Sequence, residues 1–257
     1  MNAMIPLKSE KDLEMLRKSG KILAKVLKKL QQFINPGIST AEINGLAEKL
    51  ILGENAVAAF KGYKGFPASI CTSINEEIVH GIPSQRQLKE GDIISLDLGI
   101  NYEGYFSDAA VTLPVGKANS QKKKLIEVTR KALSEGIKQA RPENHLLDIS
   151  YSIQNYVEKN GFSVVRQFVG HGIGHNLHEE PEIPNFGSPH QGPVLKRGMV
   201  LAIEPMVNMG TWESEILDNG WTAVTKDRLP SAHFEHTVAI TENGAEILTI
   251  FNTDIHG

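Results

Sequence analysis

The sequence carries one acid-bearing ribbon twice, and few folds can accommodate that. Gly91-Asp-Ile-Ile-Ser-Leu-Asp97 is matched by Gly198-Met-Val-Leu-Ala-Ile-Glu204: a glycine, an aliphatic strand, and an acid six residues on. Asp108-Ala-Ala-Val-Thr-Leu113 is echoed by Glu235-His-Thr-Val-Ala-Ile240, after a longer loop. Upstream, Pro36 with Glu42 finds a counterpart in Pro142 with Asp148. The spacing between copies is 106 residues from Pro36 to Pro142 and 107 from Gly91 to Gly198. At the strand period of two, Ile94, Leu96, Leu98 and Ile100 share one face, while Ser95, Asp97 and Gly99 share the other. Asn101–Gly104 reads as a hairpin connection to a second strand near Asp108. Taken alone, one such hairpin is two solvated acids on an open sheet face. Duplicated, it predicts related halves that each give two acids to a shared centre.

The chain of 257 residues has room for one core built from two halves. The expected organisation is an N-terminal extension over residues 1–8 and a single catalytic domain over 9–257, with halves near 9–115 and 120–257. Net charge −3 and pI near 6.3 give no electrostatic case for nucleic acid or an anionic membrane. Lys122, Lys123 and Lys124 read as the solvated face of a helix start. Cys71 is the only cysteine, so no intrachain disulfide forms and a reducing cytoplasm is the expected compartment. No apolar run approaches the ~18 residues of a membrane span.

Residues 9–34 carry leucines at three- and four-residue steps after Ser9, and Ser39 with Glu42 is a capping-box start for a second helix to about Leu52. A glycine- and aromatic-rich loop from Phe60 to Pro67 follows, then a short strand near 69–73. Helices near 120–140 and 147–159 restart the pattern.

Four converging carboxylates left bare would be forced to take up protons, and two divalent cations would remove the conflict. Oxygen ligands with an imidazole suit manganese, iron, cobalt or zinc better than a closed structural zinc site, which wants thiolates. His171, His175 and His178 lie among glycines that let a ring approach a metal closely. At least one of the three is expected to be a ligand.

Several longer segments then carry a family resemblance: Ser73–Pro83 around His80, Ser95–Gly99, Gly170–Gly174 with His178–Pro181, Ala202–Met206, and Ser231–Val238. The chain resembles type I methionine aminopeptidases from Ser9 onward. The resemblance implies an α+β pita-bread fold, two pseudo-symmetric αβ halves around a central antiparallel sheet. It implies two divalent metals (cobalt, manganese, iron or zinc) held by Asp97, Asp108, His171, Glu204 and Glu235. Asp108 and Glu235 would bridge, Asp97 would chelate one metal, and His171 and Glu204 would complete the other. His178 would support the carbonyl oxygen, His80 would face the scissile nitrogen, and Glu204 would also carry a proton. Tyr63, Phe66, Cys71 and Trp221 would form the side-chain pocket, with Leu177 where relatives are often aromatic. Implied partners are protein N-termini beginning with methionine, with the next residue small; the ribosome would be touched only transiently, and the enzyme would be a monomer.

Two rivals share the fold. An X-Pro aminopeptidase or prolidase would normally carry another N-terminal domain, and a metal-free, creatinase-like member would have lost some of the five ligands.

Overall fold

The computed structural model describes residues 5–250. Both early helices start where side-chain oxygens can cap them. In α1 (Glu10–Phe33) Ser9 and Asp12 form a reciprocal capping box, and in α2 (Thr40–Gly53) Ser39 and Glu42 do the same. Short strands β1 (Val57–Ala58), β2 (Cys71–Ile74) and β3 (Glu77–Val79) lead to a long hairpin, β4 (Ile93–Tyr102) and β5 (Tyr105–Pro114). Its turn is only Glu103-Gly104, both at positive φ, so the second strand begins three residues earlier than the expected Asp108. Helices α3 (Ser120–Gln139) and α4 (Leu146–Lys159) open the second half. There follow β6 (Ser163–Val164), β7 (Gly170–Gly172), β8 (Glu179–Ile183), β9 (Val200–Ile203), β10 (Met206–Asn208), β11 (Ser214–Ile216), β12 (Ala223–Thr225), β13 (Ser231–His233), β14 (Glu235–Thr241) and β15 (Gly244–Ile247).

The main sheet runs β1-β4-β5-β14-β9-β7-β8, with β2 on β4 and β15 on β14. The halves meet at β5 and β14, which pair antiparallel with Glu235 opposite Ala110. Thr237 stitches that seam: its hydroxyl donates to the Asp108 carbonyl at 2.8 Å and accepts from the Asp108 N–H at 2.9 Å. Strand alternation sends Leu96, Leu98, Leu201, Ile203, Val238 and Ile240 into one core with residues of all four helices, such as Leu27, Ile43, Leu133 and Ile153. Each such side chain contributes on the order of 1.5–3 kcal/mol by leaving water. The opposite sheet face keeps Asp97, Gly99, Asp108, Ala110, Ala202 and Glu235, acids set among small residues.

Lys122 departs from expectation. Its ammonium donates to Asn75 Oδ1 and the Gly91 carbonyl, tying α3 to the loop before β4 rather than lying wholly in solvent.

Two helical glycines separate backbone contact from helix propensity. A Cβ at Gly20 would run into the Leu248 carbonyl, whereas nothing lies within 4 Å of one at Gly45. Gly20→Ala is expected to cost about 1–3 kcal/mol in urea unfolding, and Gly45→Ala to gain about 0.4–1 kcal/mol. Equal effects would show that α1 does not lie that close to the sheet end.

Candidate active site

The register of the central strands fixes which side chains share the hollow. Cys71 is opposite Asp97, Asp97 opposite Ala110, and Ala110 opposite Glu235, one row across β2, β4, β5 and β14. The next row runs through Gly99, Asp108, Thr237, Ala202 and His171, the step from Asp108 to Thr237 being the side-chain stitch already described. Glu204 follows β9 and enters from the same side. All five predicted ligands therefore face one space.

Burial there is severe. Asp97, Asp108, Glu235 and His171 are 8, 4, 2 and 6% exposed. One ligand atom from each of Asp108, His171 and Glu235 lies within 4.8 Å of the others. Asp97 Oδ1, Asp108 Oδ1 and Glu235 Oε1 are buried without any hydrogen-bond partner. Burial, with the neighbouring acids, drives Asp108 and Glu235 well above the carboxylate range. Asp97 is pushed up to about 7 by burial, against the pull of His233, and Glu204 to about 7 by burial, against His171.

These features fit divalent cations. Three orphaned carboxylate oxygens point inward, and the His171 Nδ1–H donates to the Gly172 carbonyl at 2.9 Å. That bond leaves the Nε2 lone pair directed inward, 3.6 Å from Glu204 Oε1, the arrangement metal-binding imidazoles normally have. Gly172 itself is required, because a Cβ there would meet the Glu180 carbonyl.

Around the acids lies a cavity of about 270 Å³. Tyr63, Phe66, Cys71, Leu177 and Trp221 all line it, as the sequence suggested. Phe66 and Trp221 meet edge to face at 5.1 Å. At the mouth, His178 stacks on Tyr63, its Nδ1 2.9 Å from the tyrosine hydroxyl, and its ring centre is 4.2 Å from that of His171. The residue as a whole stays accessible, but its ring is crowded by protein. That crowding, then His171 and Lys64, pushes its pKa well down.

His80 also lines the cavity, at a left-handed φ of 59°, its ring edge-on to Phe168 at 5.6 Å and to Trp221 at 6.3 Å. Burial, then His233, lowers its pKa to about 4. His175 and His236 are not in the cavity lining: His175 faces Asp12 at 3.5 Å, and His236 Nδ1 meets Thr249 at 3.0 Å.

Sequence reasoning missed Phe60, Phe168 and Met206 in the lining, and His233 beside Glu204. His233 has the same strand parity as Glu235, which is the signal that could have found it.

A metallopeptidase family M24 model matches residues 14–242. The chain is 53% identical to the methionine aminopeptidase of Clostridium perfringens, over 96% of this chain and 99% of the relative. It is 52% identical to methionine aminopeptidase 1 of Bacillus subtilis, with the same shares covered. The crystal structure of the Rickettsia prowazekii methionine aminopeptidase superposes with a TM-score of 0.95 at 42% identity, covering 96% of this chain and all of the other. The prolidase of Pyrococcus horikoshii shares the fold at TM-score 0.77 and 24% identity, with 64% of its length covered. The architecture is the pita-bread fold, two αβ halves over one antiparallel sheet.

A partly buried neutral histidine makes stability depend on pH. His80 binds fewer protons folded than unfolded between its ordinary pKa of 6.5 and about 4, so wild-type stability falls as pH drops through that window. Metal-free His80→Gln is expected to lose roughly 1–2 kcal/mol less than wild type between pH 7.5 and pH 5 in urea unfolding. Parallel losses in the two proteins would contradict a neutral His80.

Proposed function

The chain belongs to metallopeptidase family M24, and from that premise we propose that it is a methionine aminopeptidase. It removes the initiator methionine from newly made polypeptides whose next residue is small. The observation that carries the reading is the set of orphaned, buried carboxylate oxygens from both halves, facing His171 Nε2 across a cavity with one apolar wall.

Asp97, Asp108, His171, Glu204 and Glu235 would hold two divalent ions. Bound there, the ions supply a water that is nucleophilic near neutral pH and positive charge for the scissile carbonyl and the free α-amine. An internal peptide bond presents no such amine, which makes the enzyme an exopeptidase.

The remaining work belongs to the chain. Glu204, the most accessible of the acids, accepts the proton of the attacking water and returns it to the leaving amine. With the Tyr63 hydroxyl donating to Nδ1, His178 keeps its proton on Nε2 and directs it at the carbonyl oxygen as negative charge develops. His80, beside Phe168 and Trp221, faces the scissile amide nitrogen. Methionine is flexible and polarisable, suited to a pocket of Tyr63, Phe66, Trp221 and the Cys71 thiol. Cobalt, manganese, iron or zinc would all serve, and availability selects among them. The same reading has the enzyme work as a cytoplasmic monomer that meets chains at the ribosome only transiently.

His178→Ala is expected to lower kcat on a Met-Ala-Ser peptide about 10²-fold with metal content unchanged. Loss of metal would show that His178 is a ligand instead. Chelator-stripped enzyme should regain activity with at least one divalent ion. Cleavage of X-Pro dipeptides in preference to Met-Ala would replace the reading with a prolidase.

A further inference from the structure

His233 is 1% exposed, and neither ring nitrogen has a hydrogen-bond partner. Native interiors rarely leave such a group unused. Its backbone is tightly fixed: β13 pairs with β10 in the register Met206 to His233, and the Thr112 hydroxyl both donates to the His233 carbonyl and accepts from its N–H, each at 2.8 Å. Ser95 holds that hydroxyl in turn, at 2.8 Å. Glu204 lies two residues before Met206, so the same pairing brings its carboxylate between two imidazoles. Its Oε1 is 3.6 Å from His171 Nε2, and its Oε2 is 3.5 Å from His233 Nε2.

We propose that His233 is a positioning residue: its Nε2–H holds the outer oxygen of Glu204, so that the inner oxygen stays turned to the metal hollow beside His171. The inference rests on the metal-centre reading above. Donation from a neutral imidazole uses the nitrogen that faces Glu204 and leaves Nδ1 with only a lone pair. A separation of 3.5 Å is longer than the roughly 2.7–2.9 Å of a charge-assisted bond, and contacts of this kind tighten when the site is loaded. The role is that of an outer partner fixing the orientation of a metal-binding carboxylate.

Two variants of similar polarity separate donor position from packing. His233→Gln puts an amide nitrogen where Nε2 stood, whereas His233→Asn reaches only as far as Nδ1. Manganese binding to the metal-stripped full-length chain is followed by calorimetry, alongside kcat and KM. His233→Asn is expected to weaken the first ion about tenfold or more and to lower kcat with little change in KM, while His233→Gln stays within about threefold of wild type. First-ion affinity in His233→Asn equal to wild type overturns the inference, as does an equal loss in both variants. Wild type that takes up no divalent ion overturns the metal centre and this inference with it. Wild type that binds two, beside an unaltered Asn variant, sinks only the role of His233.

Discussion

Four carboxylates brought out of water into one hollow repel one another, and almost everything else in the structure serves to keep them there. Bare, they are tolerable only by holding protons, and burial with the neighbouring acids raises Asp108 and Glu235 well above the carboxylate range. Divalent cations would remove that cost. The helix-backed face provides the offset: leucines and isoleucines of β4, β9 and β14 are sealed against α1 to α4, and the acids lie on the reverse of the same strands.

Precision in the hollow comes from pairing rather than from loops. Because β5 and β14 meet in register at the seam, a slip of one residue would turn Glu235 and Thr237 to the helix side and empty the site. Small residues matter equally. Gly99 stands in the row of Asp108, and a Cβ there would come within 2.6 Å of Phe60 Cε1, a ring that lines the cavity. The strand that carries the acids thus also sets how near the pocket wall can approach.

Much of this was legible because period-two alternation and internal duplication are local signals. Period two puts Asp97 and Asp108 on one face of the first hairpin, and the repeat carries the same pattern to Glu204 and Glu235. The echo of Pro36 and Glu42 in Pro142 and Asp148 was legible too, but as helix entry: Glu42 Oε2 accepts from the Ser39 N–H at the start of α2, and Asp148 Oδ2 accepts from the His145 N–H at the start of α4. What stayed hidden depends on long-range pairing. The segment between β9 and β14 folds into short strands, and β12 reaches β3 of the first half, with Ala223 opposite Val79. That contact sets Trp221 beside His80, and the pairing of β13 with β10 sets His233 beside Glu204. Parity with Glu235 puts His233 on the side of the acids, but no periodicity within either segment names the strand it pairs with. The hairpin connection was legible at Asn101–Gly104, but its tightness rests on the positive φ of Glu103 and Gly104, and the reach of Lys122 rests on two contacts the pattern does not weigh.

The central claim is that these acids share one space and hold protons until divalent cations displace them. Proton release on metal loading tests it most directly, by titrating manganese into the chelator-stripped protein near pH 6.5 in buffers of different ionisation enthalpy. A common hollow releases more than one proton per chain as the ions bind. Binding with no proton release would mean that the carboxylates were already ionised in separate, solvated surroundings, and the account would fail.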